Sequence, residues 1–134
     1  MSDQVKGTKI HPSAVISKDV IIGNETTIGA GAIIGDGVII SENCQIGTGV
    51  IIEAESRIED NCVLEAGVII GSQVTLGKNS KIGIGARITN GVTIGSDSVI
   101  RIGEIILKDM IYKMVFKRGA WIYREDSLNC KNEE

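Results

Sequence analysis

The chain has 134 residues and a net charge of −3, a size that suits one domain and a charge that gives no attraction for nucleic acid or an anionic membrane. Its 43% hydrophobic content includes no unbroken apolar stretch near the ~20 residues that span a bilayer. Met1 to Lys9 is polar, without the apolar core of a signal peptide, and three cysteines without paired spacing form no disulfide framework, so a cytoplasmic protein is expected.

In chain order, the organising feature begins at Ile10. Every sixth position from there to Ile106 is Ile or Leu, through Ile16, Ile22, Ile28 and so on, with no slip of register. Four residues after each aliphatic stands a smaller one, among them Ala14, Val38, Cys44, Ser56, Cys62 and Ser98. Glycine is frequent directly after the aliphatic (Gly23, Gly29, Gly83, Gly95), and Gly or Asn recurs two residues later (Gly31, Asn43, Asn61, Gly85, Gly103). Gly and Asn accept positive φ cheaply, so that last column predicts the turns. Small and large residues two apart point the same way along a strand. Each hexad therefore reads as a short strand with both side chains inward, then a tight turn. Three hexads close an 18-residue triangular coil, and the run predicts about 5 to 6 coils, a prism roughly 26 Å tall at ~4.8 Å per coil. Aromatics make up only 3% of the chain, so the core is expected to be stacked aliphatics.

Outward positions sort by face. One face presents Val15, Ile33, Ile51, Ile69, Arg87 and Ile105, a nearly continuous aliphatic column of the kind that marks an interface. Cys44 and Cys62, eighteen apart, are expected one above the other inside adjacent coils as buried small thiols. Past Leu107 the hexads end. Residues 108–126, which hold Trp121 and the only Phe, are expected to cap the open apolar end of the 1–107 domain, as helix or extended strand. Residues 127–134 read as a frayed tail.

The phrases Ile28-Gly-Ala-Gly-Ala-Ile33 and Ile94-Gly-Ser-Asp-Ser-Val99, repeated in phase, resemble the hexapeptide-repeat acyltransferase superfamily, with sugar O- and N-acyltransferases the nearest in flavour. The resemblance covers residues 10 to about 107. Periodicity does not fix the hand of the coil, and parallel crossovers are generally right-handed. The resemblance implies the opposite: an all-β, left-handed parallel β-helix. It also implies an acyl-CoA-dependent transferase, acetylating an amine or hydroxyl of a sugar or small metabolite at grooves between the subunits of a homotrimer. The trimer contact would be the Val15/Ile33/Ile51/Ile69/Ile105 face, acetyl-CoA would be the donor substrate, and no metal is expected.

Residue roles follow from the same resemblance. Ile58-Glu-Asp-Asn-Cys62 matches the frame in which sugar N-acyltransferases carry a histidine base, with Asp60 at the histidine's place and Glu59 beside it. An unperturbed carboxylate near pKa ~4 is a poor base for an amine, so these acids could equally bind an aminosugar cation. Glu53, Glu55 and Glu65 fall in the same short stretch. The phrases Ile82-Gly-Ile-Gly-Ala86 and Ile100-Arg-Ile-Gly-Glu104 place Gly85, Ala86, Gly103 and Arg101 along the coenzyme A, although Arg101 and Glu104 depart from the pattern, as does Lys117-Arg-Gly-Ala-Trp121 from the usual closing phrase. His11, the one histidine, stands in Ile-His-Pro-Ser-Ala-Val at the entry to the repeats and reads first as structural. The alternative function is a catalytically silent trimeric scaffold. A γ-type carbonic anhydrase on this fold needs three histidine ligands and is excluded.

Overall fold

One left-handed residue per hexad bends this chain into a coil. The computed structural model describes residues 6–111 and the strands at 114–117 and 120–123. Positive φ falls on Gly7 and then on the third residue after every inward aliphatic from Asp19 to Gly103. Glycine fills about half of these sites. Glu25, Glu55 and Gln73 hold φ values of 62°, 64° and 57°, where a Cβ costs about 1–2 kcal/mol.

Between the turns lie two-residue strands on three faces. The first face carries β1 (Lys9–Ile10), β4 (Thr27–Ile28), β7 (Gln45–Ile46), β10 (Val63–Leu64), β13 (Lys81–Ile82) and β16 (Val99–Ile100). The second carries β2 (Val15–Ile16), β5 (Ile33–Ile34), β8 (Ile51–Ile52), β11 (Ile69–Ile70), β14 (Arg87–Ile88) and β17 (Ile105–Ile106). The third carries β3 (Ile21–Ile22), β6 (Ile39–Ile40), β9 (Arg57–Ile58), β12 (Thr75–Leu76) and β15 (Thr93–Ile94). Each strand from β1 to β14 pairs in parallel with the one three later, as Lys9 with Thr27 and Val15 with Ile33. The molecule is a β-solenoid without helix among its described residues.

The core follows the two inward columns. Large aliphatics from Ile28 to Ile106 and small residues such as Ala32, Val38, Val68 and Ala86 are buried throughout. One corner column is polar inside. Thr8, Thr26, Cys44, Cys62 and Ser80 each donate to a backbone carbonyl one coil on, at Gly23 (2.8 Å), Ser41 (2.7 Å), Glu59 (3.1 Å), Gly77 (3.1 Å) and Gly95 (3.2 Å). These donors tie each coil to the carbonyls of the next, and the Gly95 carbonyl also accepts from the Ser98 hydroxyl at 2.7 Å. Cys44 and Cys62 are thus free, buried thiols in a hydroxyl-type role. The hydrogen bond with Cys44 and burial push the Cys62 thiol well above its ordinary value.

At the C-terminal end the hexads do not simply stop at Leu107; their phase slips by two. Met110 pairs with Ile94, and Val115 and Phe116 pair with Val99 and Ile100, sixteen residues on where eighteen is the rule below. Met110 is buried. Strand β18 (Met114–Lys117) extends the first face, and β19 (Ala120–Tyr123) pairs antiparallel with it. The tail at 127–134 lies outside the described residues.

Candidate functional site

Side chains at the three edges of the prism carry the available chemistry. Edge I joins the first face to the second (residues 11–14, 29–32, 47–50, 65–68, 83–86 and 101–104). Edge II joins the second to the third (17–20, 35–38, 53–56, 71–74 and 89–92), and edge III returns to the first (23–26, 41–44, 59–62, 77–80 and 95–98).

The acidic stretch is spread around one coil rather than gathered. Glu53 and Glu55 stand on edge II, Glu59 and Asp60 on edge III, and Glu65 on edge I. Asp60 Oδ1 accepts the backbone N–H of Glu42 at 3.1 Å. Asn24 and Asn90 make the same contact to Lys6 and Ser72 at 2.9 Å each. One carboxylate oxygen of Asp60 therefore does for its coil what an asparagine does elsewhere. Beside it, Asn43, Asn61 and Asn79 form an amide ladder, with Nδ2–Oδ1 distances of 2.7 and 3.1 Å.

His11 also has a structural assignment. Its Nδ1 accepts the backbone N–H of Ser13 at 3.1 Å and lies 2.9 Å from the Ser13 hydroxyl. That hydroxyl oxygen accepts the N–H of Gly31, one coil on, at 2.9 Å. Nδ1 being an acceptor, the neutral ring carries its proton on Nε2 and presents solvent with a donor rather than a base. Ser13 lacks the positive φ that its turn column holds from Asp19 to Gly103, and the imidazole accepts its N–H.

The expected donor residues lie on edge I. Gly85 and Gly103 stack one coil apart, and a Cβ built on either meets nothing within 4 Å. Their own N–H groups are already given to the carbonyls of Ala66 (3.0 Å) and Ile84 (2.9 Å). Ala86 is buried and offers a ligand no side chain. The free donors are instead the N–H groups one residue earlier. Ala30, Thr48, Ala66, Ile84 and Ile102 occupy that position on edge I, and none carries the carboxylate or carboxamide that Asp60 and Asn90 turn back on the coil below. Among the described residues nothing accepts from the N–H of Ala66, Ile84 or Ile102. Edge I thus offers donors at the ~4.8 Å coil repeat beside bare glycine, suited to an extended chain rich in amide carbonyls. The signal was in the sequence, as the run Ala66, Ile84 and Ile102 without carboxylate or carboxamide, although Ala54 on edge II and Lys78 and Ser96 on edge III also leave this N–H without an acceptor among the described residues.

A cavity of about 260 Å³ opens where edge I meets the first face, lined by Glu65, Lys81, Gly83, Val99, Ile100, Arg101 and Ile102. Arg101 is thus joined by Lys81 and Glu65, which the sequence reading did not assign to the donor side. Glu59 and Asp60 do not join them, since the width of the first face intervenes, at most ~20 Å for six residues of extended chain.

The unbroken hexads of this solenoid recur in known proteins. The sequence matches the family described as Bacterial transferase hexapeptide (six repeats) over residues 6–36, 25–59 and 55–90. The chain belongs to that family, and its fold is the left-handed β-helix. Among solved structures it is similar to GDP-perosamine N-acetyltransferase from Caulobacter crescentus, solved with CoA and GDP-perosamine. That match has 27% identity and a TM-score of 0.61 over 89% of this chain and 57% of the other. The acetyltransferase domain of PglB from Neisseria gonorrhoeae, solved with acetyl coenzyme A, is 29% identical with a TM-score of 0.55, over 81% of this chain and 53% of that one. The chain therefore spans little more than half the length of these two relatives. AntD, an N-acyltransferase from Bacillus cereus, matches 96% of the chain with a TM-score of 0.80 at 18% identity, a likeness of fold. No curated protein matches. Among the described residues no helix is long and apolar enough to cross a membrane.

Proposed function

We propose that the protein is an acyl-CoA-dependent acyltransferase that acetylates an amine or hydroxyl of a sugar or similar small metabolite. The observation that carries this reading is edge I, where unpaired backbone donors run beside bare glycines in a family whose similar members were solved with CoA or acetyl-CoA. The pantetheine amides of the donor would accept from Ala66, Ile84 and Ile102, with Arg101 near the phosphates. An acceptor amine attacks the thioester carbonyl, the C–S bond breaks, an amide forms, and CoA leaves as the thiol with the proton the amine gives up.

In one chain, Glu59 and Asp60 stand a face away from that donor. In this reading they act only on a donor carried by a neighbouring copy, at a groove of a homotrimer. The Val15, Ile33, Ile51, Ile69 and Ile105 column of the second face is the apolar surface for its contact. A contact through that face alone leaves edge III on the far side of the prism, so a role for Asp60 requires that the neighbouring copy also reach edge III. Calorimetric titration of the full chain with acetyl-CoA tests the whole. Saturable heat at or below millimolar ligand supports it, and no heat favours a catalytically silent scaffold. The structural engagement of both His11 and Asp60 is the observation that would then count for the scaffold. If acetyl transfer is found, unchanged turnover in Asp60→Asn removes that residue from the mechanism.

A further inference from the structure

The cavity at Gly83 has a charge pattern that edge III lacks. On edge I the residue leading each turn changes from Glu65 through Gly83 to Arg101 over three successive coils, so a glycine separates an acid below from a cation above. Lys81 on the first face adds a second cation beside the gap, and Val99 and Ile102 give it apolar walls. Gly83 is fixed by packing. A Cβ there would stand 2.7 Å from the Ile102 nitrogen and 2.9 Å from the Arg101 carbonyl carbon, so no residue with a side chain can fill the gap from within. At about 260 Å³ the gap is below the ~300–1,000 Å³ usual for whole drug-sized ligands, and it suits a single sugar-sized unit. Two coil rises, ~9.6 Å, separate the backbones at its two ends.

We infer that this gap is the acceptor site, and that its ligand is a phosphorylated amino sugar. The phosphate sits between Lys81 and Arg101, and the ammonium or amine faces Glu65. A cationic amine alone would not need the two cations, and a phosphate alone would be repelled by the acid. A ligand carrying both charges at opposite ends satisfies all three groups. The inference rests on the acyltransferase reading for the word acceptor. It shifts the amine from Asp60 to an acid that shares edge I with the proposed donor, and it takes Arg101 from the CoA phosphates to the phosphate of the sugar, so both substrates meet on one chain.

The test is calorimetric titration of the full chain with glucosamine 6-phosphate, glucose 6-phosphate, glucosamine and inorganic phosphate. Glucosamine 6-phosphate should bind at least about tenfold more tightly than glucosamine or phosphate, since each end contributes a charge-assisted contact. Glu65→Gln should erase its advantage over glucose 6-phosphate. Lys81→Gln and Arg101→Gln should weaken both sugar phosphates and leave glucosamine unchanged. These three side chains are at least partly exposed, and circular dichroism of each variant confirms the fold before titration. Equal affinity for the amino sugar phosphate and inorganic phosphate would overturn the inference. So would indifference to all three substitutions, or displacement of the sugar phosphate by CoA with the same variant dependence, which would make the gap a donor site. Binding without any acetyl transfer would leave the gap as a sugar-phosphate site and remove the acyltransferase reading. Transfer that none of the three variants disturbs would do the reverse.

Discussion

His11 and Asp60 attract attention for their chemistry, yet both are held by neighbouring backbone N–H groups. At the residue scale, the repeat assigns each a position on the coil but not these contacts, because each depends on which side chain stands next to it around a turn or one coil away. The turn column was legible where Gly or Asn marks positive φ, as at Gly31, Asn43 and Gly85. Glu25, Glu55 and Gln73 were not, because their neighbours impose a conformation they do not favour. The role of His11 is checked by His11→Ala. Losing the acceptor for the Ser13 N–H should cost about 1 kcal/mol in urea unfolding, with acetyl transfer unchanged. A large fall in turnover at unaltered stability would restore the imidazole to the mechanism.

At the scale of the element, each coil is a unit with two inward columns, and their existence followed from the hexad pattern alone. What the pattern hid was that one corner's small residues are hydrogen-bond donors. Thr26, Cys44, Cys62 and Ser80 look interchangeable with Ala or Val by size, and only the carbonyl each meets distinguishes them. Cys62 gives this ladder a pH signature. Its thiol is held above the ordinary value of 9.0, so below that value the folded and unfolded chains both keep the proton. Above it the unfolded chain releases a proton that the folded chain retains, and stability falls as pH rises. Cys62→Ser keeps a donor on the Gly77 carbonyl and should flatten the alkaline limb of a stability–pH curve. An identical limb in both proteins would show that Cys62 does not contribute.

For the whole molecule, the strict phase of the aliphatics defined the prism and assigned every outward residue to a face. It could not say where the edges would bring chemistry together, because residues close in sequence diverge around the coil. Glu53 and Glu65 bracket one short stretch and finish on different edges, whereas Glu65 and Arg101, far apart in sequence, line one cavity. The apolar column of the second face leads to a prediction at this scale. Light scattering at micromolar protein should give the mass of three chains, and Ile51→Asp, which puts a charge in the middle of the column, should give one. A monomeric parent protein would remove the trimer and, with it, any part for Asp60.

The two-residue slip near Met110 gives position in this chain two coordinates, a height and an angle. Removing eighteen residues below the slip lowers everything after the cut by one coil and leaves its compass bearing unchanged. Removing six swings every later side chain through a third of a turn, so an acid that faced one groove faces the next. Length variation in such a chain is therefore tolerable in whole turns and disruptive in thirds. The slip breaks this indexing, because strands laid down after it follow a different count.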